Sequence, residues 1–205
     1  MSRPVKRRYD SSSRRAAAEA TRERICAAAE RLFLRDGYAR TSIRAVAHEA
    51  DVAEATVYLT FSNKSALLNA TILRATGAEE GKPLSAIIAA PPPDMLSRLA
   101  NAHAVAMSRA ARLIALGESA LSMDPDLRPL RDRAHANLQA AYAAIAQRLA
   151  DAELLQTRVT AADAADTLYA ICNETTYLRL THDGARSPER YATWLTATLE
   201  ARLLR

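Results

Sequence analysis

The chain has 205 residues, 49% of them hydrophobic and only 5% aromatic, with 28 Lys and Arg against 23 Asp and Glu. That supplies a sizeable Ala- and Leu-built core for one or two domains, and five glycines with few alternating β-branched runs argue against sheet, so the expected class is all-α. No stretch approaches ~18 consecutive apolar residues and the basic N-terminus is not followed by an apolar run, which excludes a membrane span or secretory signal and predicts a cytoplasmic protein.

Residues 1–15, MSRPVKRRYDSSSRR, are poor in apolar side chains and rich in Arg, Lys and Ser, the composition of a disordered basic arm. Arg3, Lys6, Arg7 and Arg8 could reach into a DNA minor groove, or the segment could be a solvated tail with nonspecific attraction only; both readings stay open. From Ser13 or Thr21 a first helix is predicted to about Asp36, with Ile25, Ala29, Leu32 and Phe33 on one face and Gly37 as its stop.

Residues 41–68, TSIRAVAHEADVAEATVYLTFSNKSALL, read as three short helices in succession. Ile43, Val46, Ala47 and Ala50 recur at helical spacing behind a cap at Thr41 or Ser42. Asp51 tolerates a left-handed backbone, so a tight turn follows and Val52 can tuck against Val46 and Ala47. The next helix, about Ala53 to Phe61, is shorter than the ~12 residues an isolated helix needs in water, so packing of Val57 and Phe61 must hold it and its other faces are free to work. Two short helices across a tight turn form a helix-turn-helix, whose second helix enters the major groove. Ser62 and Asn63 cap a third helix with Lys64 in its first turn, where a cation opposes the helix dipole unless an anion is present. A DNA phosphate shared by the helix amides, Lys64 and the Tyr58 hydroxyl would be such an anion.

This stretch resembles the DNA-binding segment of the TetR family of transcriptional regulators. The likeness lies in Thr41 before Ile43 and Val46-Ala47, then Ala50, Val52, Thr56-Val57-Tyr58, Phe61, Lys64 and Leu67-Leu68, with Thr21 to Tyr38 similar to the family's first helix and its glycine stop. It covers about the first third of the chain. Asp51 departs from the usual glycine of the turn, Ala53 from a frequent capping serine and Glu54 from a common lysine. The resemblance implies DNA contacts from Thr41, Ser42 and Arg44, from Ala53, Glu54, Ala55 and Thr56, and from Tyr58, Leu59, Thr60 and Lys64. It further implies a dimeric repressor on a palindromic operator, released by a small apolar or amphipathic effector. A regulator of the same fold without a small-molecule ligand is the alternative.

A fourth helix is predicted from about Asn63 to Gly77, and the Gly- and Pro-containing stretch Gly77 to Pro93 marks a boundary between a helix-turn-helix domain (16–76) and a helical ligand-binding and dimerisation domain (77–205). Further helices are expected at Asp94 to about Ser108, Arg109 to Ser122, Pro125 to Ala152, Ala161 to Thr181 and Pro188 to Leu204, about nine in all. In the Ala161 helix, Ala164, Leu168, Ile171, Cys172, Thr175 and Leu178 form one apolar stripe, while Ala165, Tyr169 and Leu180 lie off it. Two stripes want two partners, so Leu168 and Tyr169 with Tyr191, Trp194, Leu195 and Leu199 are expected at a four-helix interface with a second copy, where the family dimerises. By analogy with the family's effector cavity, His103, Met107, Tyr142, Asn173 and Tyr177 are the candidate ligand contacts, being polar or soft residues amid Ala and Leu.

Residues 1–76 carry 14 basic against 8 acidic residues (+6), whereas residues 77–205 carry 14 against 15 (−1), so the basic excess sits at the DNA-binding end. Cys26 and Cys172 stand singly on apolar faces, as buried thiols do. His48, His103, His135 and His182 are scattered, Asp132 with His135 is the nearest approach to a metal spacing, and no nucleophile, zincin or phosphate-loop motif occurs. No metal, cofactor or enzymatic activity is therefore expected.

Overall fold

The computed structural model describes residues 11–78 and 82–205, which contain ten α-helices and no strand. The first four are α1 (Ser11–Arg40), α2 (Ile43–Glu49), α3 (Glu54–Thr60) and α4 (Lys64–Thr76). Gly37 interrupts α1 at φ 81°, ψ 167°, a conformation open essentially to glycine alone, so the expected stop is where the helix breaks. Because α1 begins at Ser11, residues 11–15 of the expected disordered arm are helical; Arg3, Lys6, Arg7 and Arg8 lie outside the described residues.

The α2–α3 turn is as the sequence predicts. Asp51 takes φ 52°, and the Val52 amide donates to the Ala47 carbonyl at 3.0 Å. Ser42, not Thr41, is the cap of α2, accepting from the Ala45 amide at 3.1 Å.

Beyond α5 (Lys82–Ile88) and a 3-10 turn at Pro92–Asp94 come α6 (Met95–Ala120), α7 (Leu127–Asp151), α8 (Ala161–Ile171), α9 (Glu174–Leu178) and α10 (Pro188–Leu203). The two helices expected between Asp94 and Ser122 are one, since neither Gly nor Pro interrupts the junction at Ser108 and the Ser108 hydroxyl returns to the Val105 carbonyl within the helix. The single helix expected from Ala161 to Thr181 is instead broken. Cys172 leaves helical geometry (φ −84°, ψ 72°), and Asn173 restarts the chain as the cap of α9, accepting from the Thr176 amide at 2.8 Å. A side chain that can cap competes with the helix continuing through it.

Two apolar clusters form the core. One joins α5 to α10; the other joins α1 to α4 and is completed by Ala110, Leu113 and Ala120 of α6 and Leu127 of α7. The far half of α6 is thus part of the helix-turn-helix scaffold. The expected interface residues lie elsewhere in the fold. Leu168, Tyr191, Leu195 and Leu199 are fully buried against the protomer's own α6 to α9 core, leaving no surface for a second copy; Tyr169 and Trp194 are only partly covered. Their apolar periodicity had an intramolecular cause.

Candidate nucleic-acid interface

Val57 and Phe61 anchor α3 from beneath, at 0% and 4% exposure, so the opposite face is turned to solvent. Ala53, Glu54, Ala55, Tyr58 and Leu59 are exposed there, Leu59 at 88%, with Thr56 and Thr60 half-buried beside them. A short helix with one anchored face and a protruding leucine has the shape needed to meet base edges, and an apolar tip suits a thymine methyl. On α2, Ser42 and Arg44 are exposed. Thr41 is not: it is buried, and its hydroxyl donates to the Gly37 carbonyl at 2.8 Å, closing the end of α1.

Lys64 resolves its conflict with the α4 dipole by folding away from it. Its ammonium donates to the carbonyls of Tyr38 at 3.0 Å and Thr41 at 3.3 Å, and lies 4.2 Å from the centre of the Tyr38 ring. The anion that the sequence called for is therefore met within the chain, by the partial negative charge of carbonyls at the α1–α2 corner.

Tyr38, which the sequence reading passed over, is the centre of this corner. Its ring stacks on Phe33, and its hydroxyl donates to the Asp124 carboxylate on the α6–α7 loop. Burial, followed by that carboxylate, pushes its pKa upward, so it stays a donor. Asn63 accepts from the Ala66 amide as cap of α4 while its amide donates to Asp126 at 3.0 Å. The loop following α6 thus holds the entry to both α2 and α4. Only distance in sequence hid these contacts, which span 86 and 63 positions.

Of the candidate ligand contacts, His103, Tyr142 and Tyr177 come together beside the Cys172 break. The Tyr142 hydroxyl faces the Cys172 carbonyl at 3.5 Å, His103 Nδ1 lies 3.3 Å from the Tyr191 hydroxyl, and Tyr177 meets Tyr191 edge to face at 4.9 Å. Met107 is half-buried against the same core. Asn173 departs from the group: its oxygen caps α9 and its amide donates to the Ala170 carbonyl at 2.7 Å. Burial pushes the Cys172 thiol up to about 12, so it is an inert core group.

His103 Nε2 is buried without a well-formed hydrogen bond among the described residues, and burial, partly offset by the Cys172 backbone nearby, lowers the imidazole from 6.5 to about 4. The folded value lies below the unfolded one, so between them the unfolded chain binds the extra proton. Stability contributed by this group is full above about pH 6.5, falls as pH drops toward about 4, and is level below; the shift corresponds to roughly 3 kcal/mol. Denaturant titrations of wild type and His103→Leu across this range should therefore diverge, the wild type losing more stability on acidification. Parallel curves would contradict a buried neutral imidazole.

A helix-turn-helix with an exposed second helix, set on a helical second half that shares its core, is the arrangement of a DNA-binding protein. Residues 25–71 match the sequence model of the bacterial regulatory proteins of the tetR family. The match spans α2 and α3 with the adjoining parts of α1 and α4, so the helix-turn-helix segment is similar to that of the TetR family of regulators. No curated protein matches it significantly. Among solved structures it is similar to NalD, the secondary repressor of the MexAB-OprM multidrug efflux pump in Pseudomonas aeruginosa, with TM-score 0.72 and 24% identity over 92% of this chain and 98% of that one. SmeT, the repressor of the Stenotrophomonas maltophilia efflux pump SmeDEF, matches in its triclosan complex with TM-score 0.75 and 19% identity over 91% and 92% of the two chains. A protein from Saccharomonospora viridis named as a transcriptional regulator, in complex with choline, gives TM-score 0.72 and 19% identity over 91% and 99%. Among the described residues no helix is long and apolar enough to cross a membrane.

Proposed function

We propose that the protein is a cytoplasmic homodimeric repressor that reads an inverted-repeat operator with α3 and leaves it when a small apolar or amphipathic effector enters the second half. The observation that carries the reading is the solvent face of α3, with Leu59 and Tyr58 projecting from a helix held by Val57 and Phe61. Thr56 and Leu59 are the proposed specifying residues, with Ser42, Arg44 and Tyr58 positioning the duplex. Repression by the similar NalD and SmeT favours the same role here. Two recognition helices must lie ~34–36 Å apart to meet successive grooves, which a second copy provides. The proposed dimer face draws on the solvent sides of α8, where Ala162 and Ala170 are exposed, and of α10, where Thr193, Ala197 and Ala201 are exposed.

The effector site is proposed at His103, Met107, Tyr142 and Tyr177, because a buried imidazole nitrogen with at best a poorly formed bond to the Cys172 backbone gains a better one from a ligand group placed there. Triclosan in SmeT and choline in the Saccharomonospora protein support small-molecule control. The route to DNA is mechanical: α6 carries His103 at one end and packs into the α1–α4 core at the other, ending at the loop that holds Tyr38 and Asn63. The reading without an effector is favoured by one observation, the close mutual packing of Tyr177, Tyr191 and His103. Calorimetry separates the two. A compound that releases the protein from operator should bind the free protein ~5–150-fold more tightly than the operator complex, a coupling of ~1–3 kcal/mol that linkage makes reciprocal. Equal affinities would contradict effector control.

A further inference from the structure

The reading helix carries one charge, and it is negative. In the segment forming α3, EATVYLT, Glu54 alone is ionised, and among the described residues no ion pair or hydrogen bond engages its side chain. It shares the solvent face of the helix. Glu54 lies one turn before Tyr58, as Ala55 does before Leu59, and all four are exposed, whereas Val57 and Phe61 hold the opposite side. A recognition helix presents its N-terminal residues to base edges, and Glu54 is the first residue of α3.

An acidic residue in a first helical turn has a local use: Ala53 gives α3 no side-chain cap, and Glu54 complements the positive end of the helix dipole. That use does not accommodate the carboxylate once α3 enters a groove. There it gives up water, and an unpaired charge taken out of water is costly, so its partner has to come from the bases. An ionised carboxylate only accepts hydrogen bonds. In the major groove guanine presents the acceptors N7 and O6, thymine presents the acceptor O4 beside a methyl group, and adenine sets its N6 amino donor next to the N7 acceptor. Cytosine alone offers a donor, its N4 amino group, with no acceptor of its own.

We infer that Glu54 is a further specificity-determining residue of the reading face, its carboxylate accepting from the N4 amino group of one cytosine in the bound site and rejecting guanine and thymine there by meeting acceptor with acceptor. This rests on the DNA-reading role of α3 and adds a polar base contact to those of Thr56 and Leu59. The test compares full-length wild type, Glu54→Gln and Glu54→Ala, first by selection from random double-stranded DNA and then on duplexes that differ only at the assigned base pair. Wild type should favour cytosine there over guanine or thymine by about 5- to 150-fold, the range spanned by one mismatched base pair. Glu54→Gln should move the preference to adenine, whose N6 and N7 suit a carboxamide, and Glu54→Ala should abolish it, with the other positions unchanged. Both variants should bind a mixed-sequence duplex more tightly than wild type does, because a negative charge facing the phosphates is gone. A residue serving only the helix dipole would lower the melting temperature when replaced and leave every base preference as it was. That result overturns the inference, as does a shift at a position where wild type does not favour cytosine. Either outcome leaves the reading role of α3 standing, since substitutions of Thr56 and Leu59 test it separately. A wild type that enriches no common sequence overturns both.

Discussion

Replacing Lys64 with alanine is expected to lower thermal stability and weaken binding to every DNA sequence alike, while the salt slope of the remaining binding stays as in wild type. The ammonium satisfies the carbonyls of Tyr38 and Thr41 at the corner from which α2 departs. Hydrogen bonds from a charged donor are worth ~1.5–3 kcal/mol each, so losing both should cost about 2–4 kcal/mol after partial replacement by water. A lysine acting on phosphate behaves in the opposite way, reducing the salt slope by about one unit at unchanged stability. Lys64→Arg should not restore stability, because the planar guanidinium does not reproduce a compact ammonium placed over a ring and between two carbonyls. Thermal melts and salt titrations on the same variants decide between the two roles: an unchanged melting temperature with a reduced slope would return Lys64 to the phosphate.

The second large effect is expected on assembly. Ala197 is exposed on α10, in an open groove shared with Ser97 and Asn101 of α6, so Ala197→Arg is expected to leave the monomer fold intact. In a closed dimer the same arginine would be buried without a partner, at a cost of several kcal/mol. The dimer dissociation constant should rise by about 10²–10³-fold, with loss of high-affinity operator binding, since a lone recognition helix reads one half-site. Ala197 is a sharper probe than Trp194, whose ring packs against Tyr191 at 5.7 Å and whose loss would disturb the monomer itself. Sedimentation showing an intact Ala197→Arg dimer would place the interface on another face.

What the sequence disclosed and what it hid divide by range. Asp51 at φ 52°, Val52 returning to Ala47 and the anchoring of α3 by Val57 and Phe61 are local consequences of residue type and spacing, and they were legible. Lys64 was noticed because a cation in a first helical turn needs an explanation, but its partners lie 26 and 23 residues away and only the fold brings them close. The stripes on α8 and α10 report that a face is buried, not which chain buries it, so periodicity alone cannot tell a core position from an interface position at Leu168, Tyr191, Leu195 and Leu199. The break at Cys172 was missed for a related reason. Asn173 is a poor helix interior residue and a good cap, but its apolar surroundings fit a continuous helix equally well. Tyr38 and Asp124 carry no motif and are joined by topology alone.

The central claim, that paired α3 helices read a specific duplex, is tested most directly by selecting bound sequences from random double-stranded DNA with the full-length protein. Enrichment of one inverted repeat is expected, with half-sites centred ~34–36 Å apart or a multiple of that and preferred bases that change when Thr56 or Leu59 is substituted. A selected pool with no common sequence, or with a single unrepeated site indifferent to those substitutions, would contradict it.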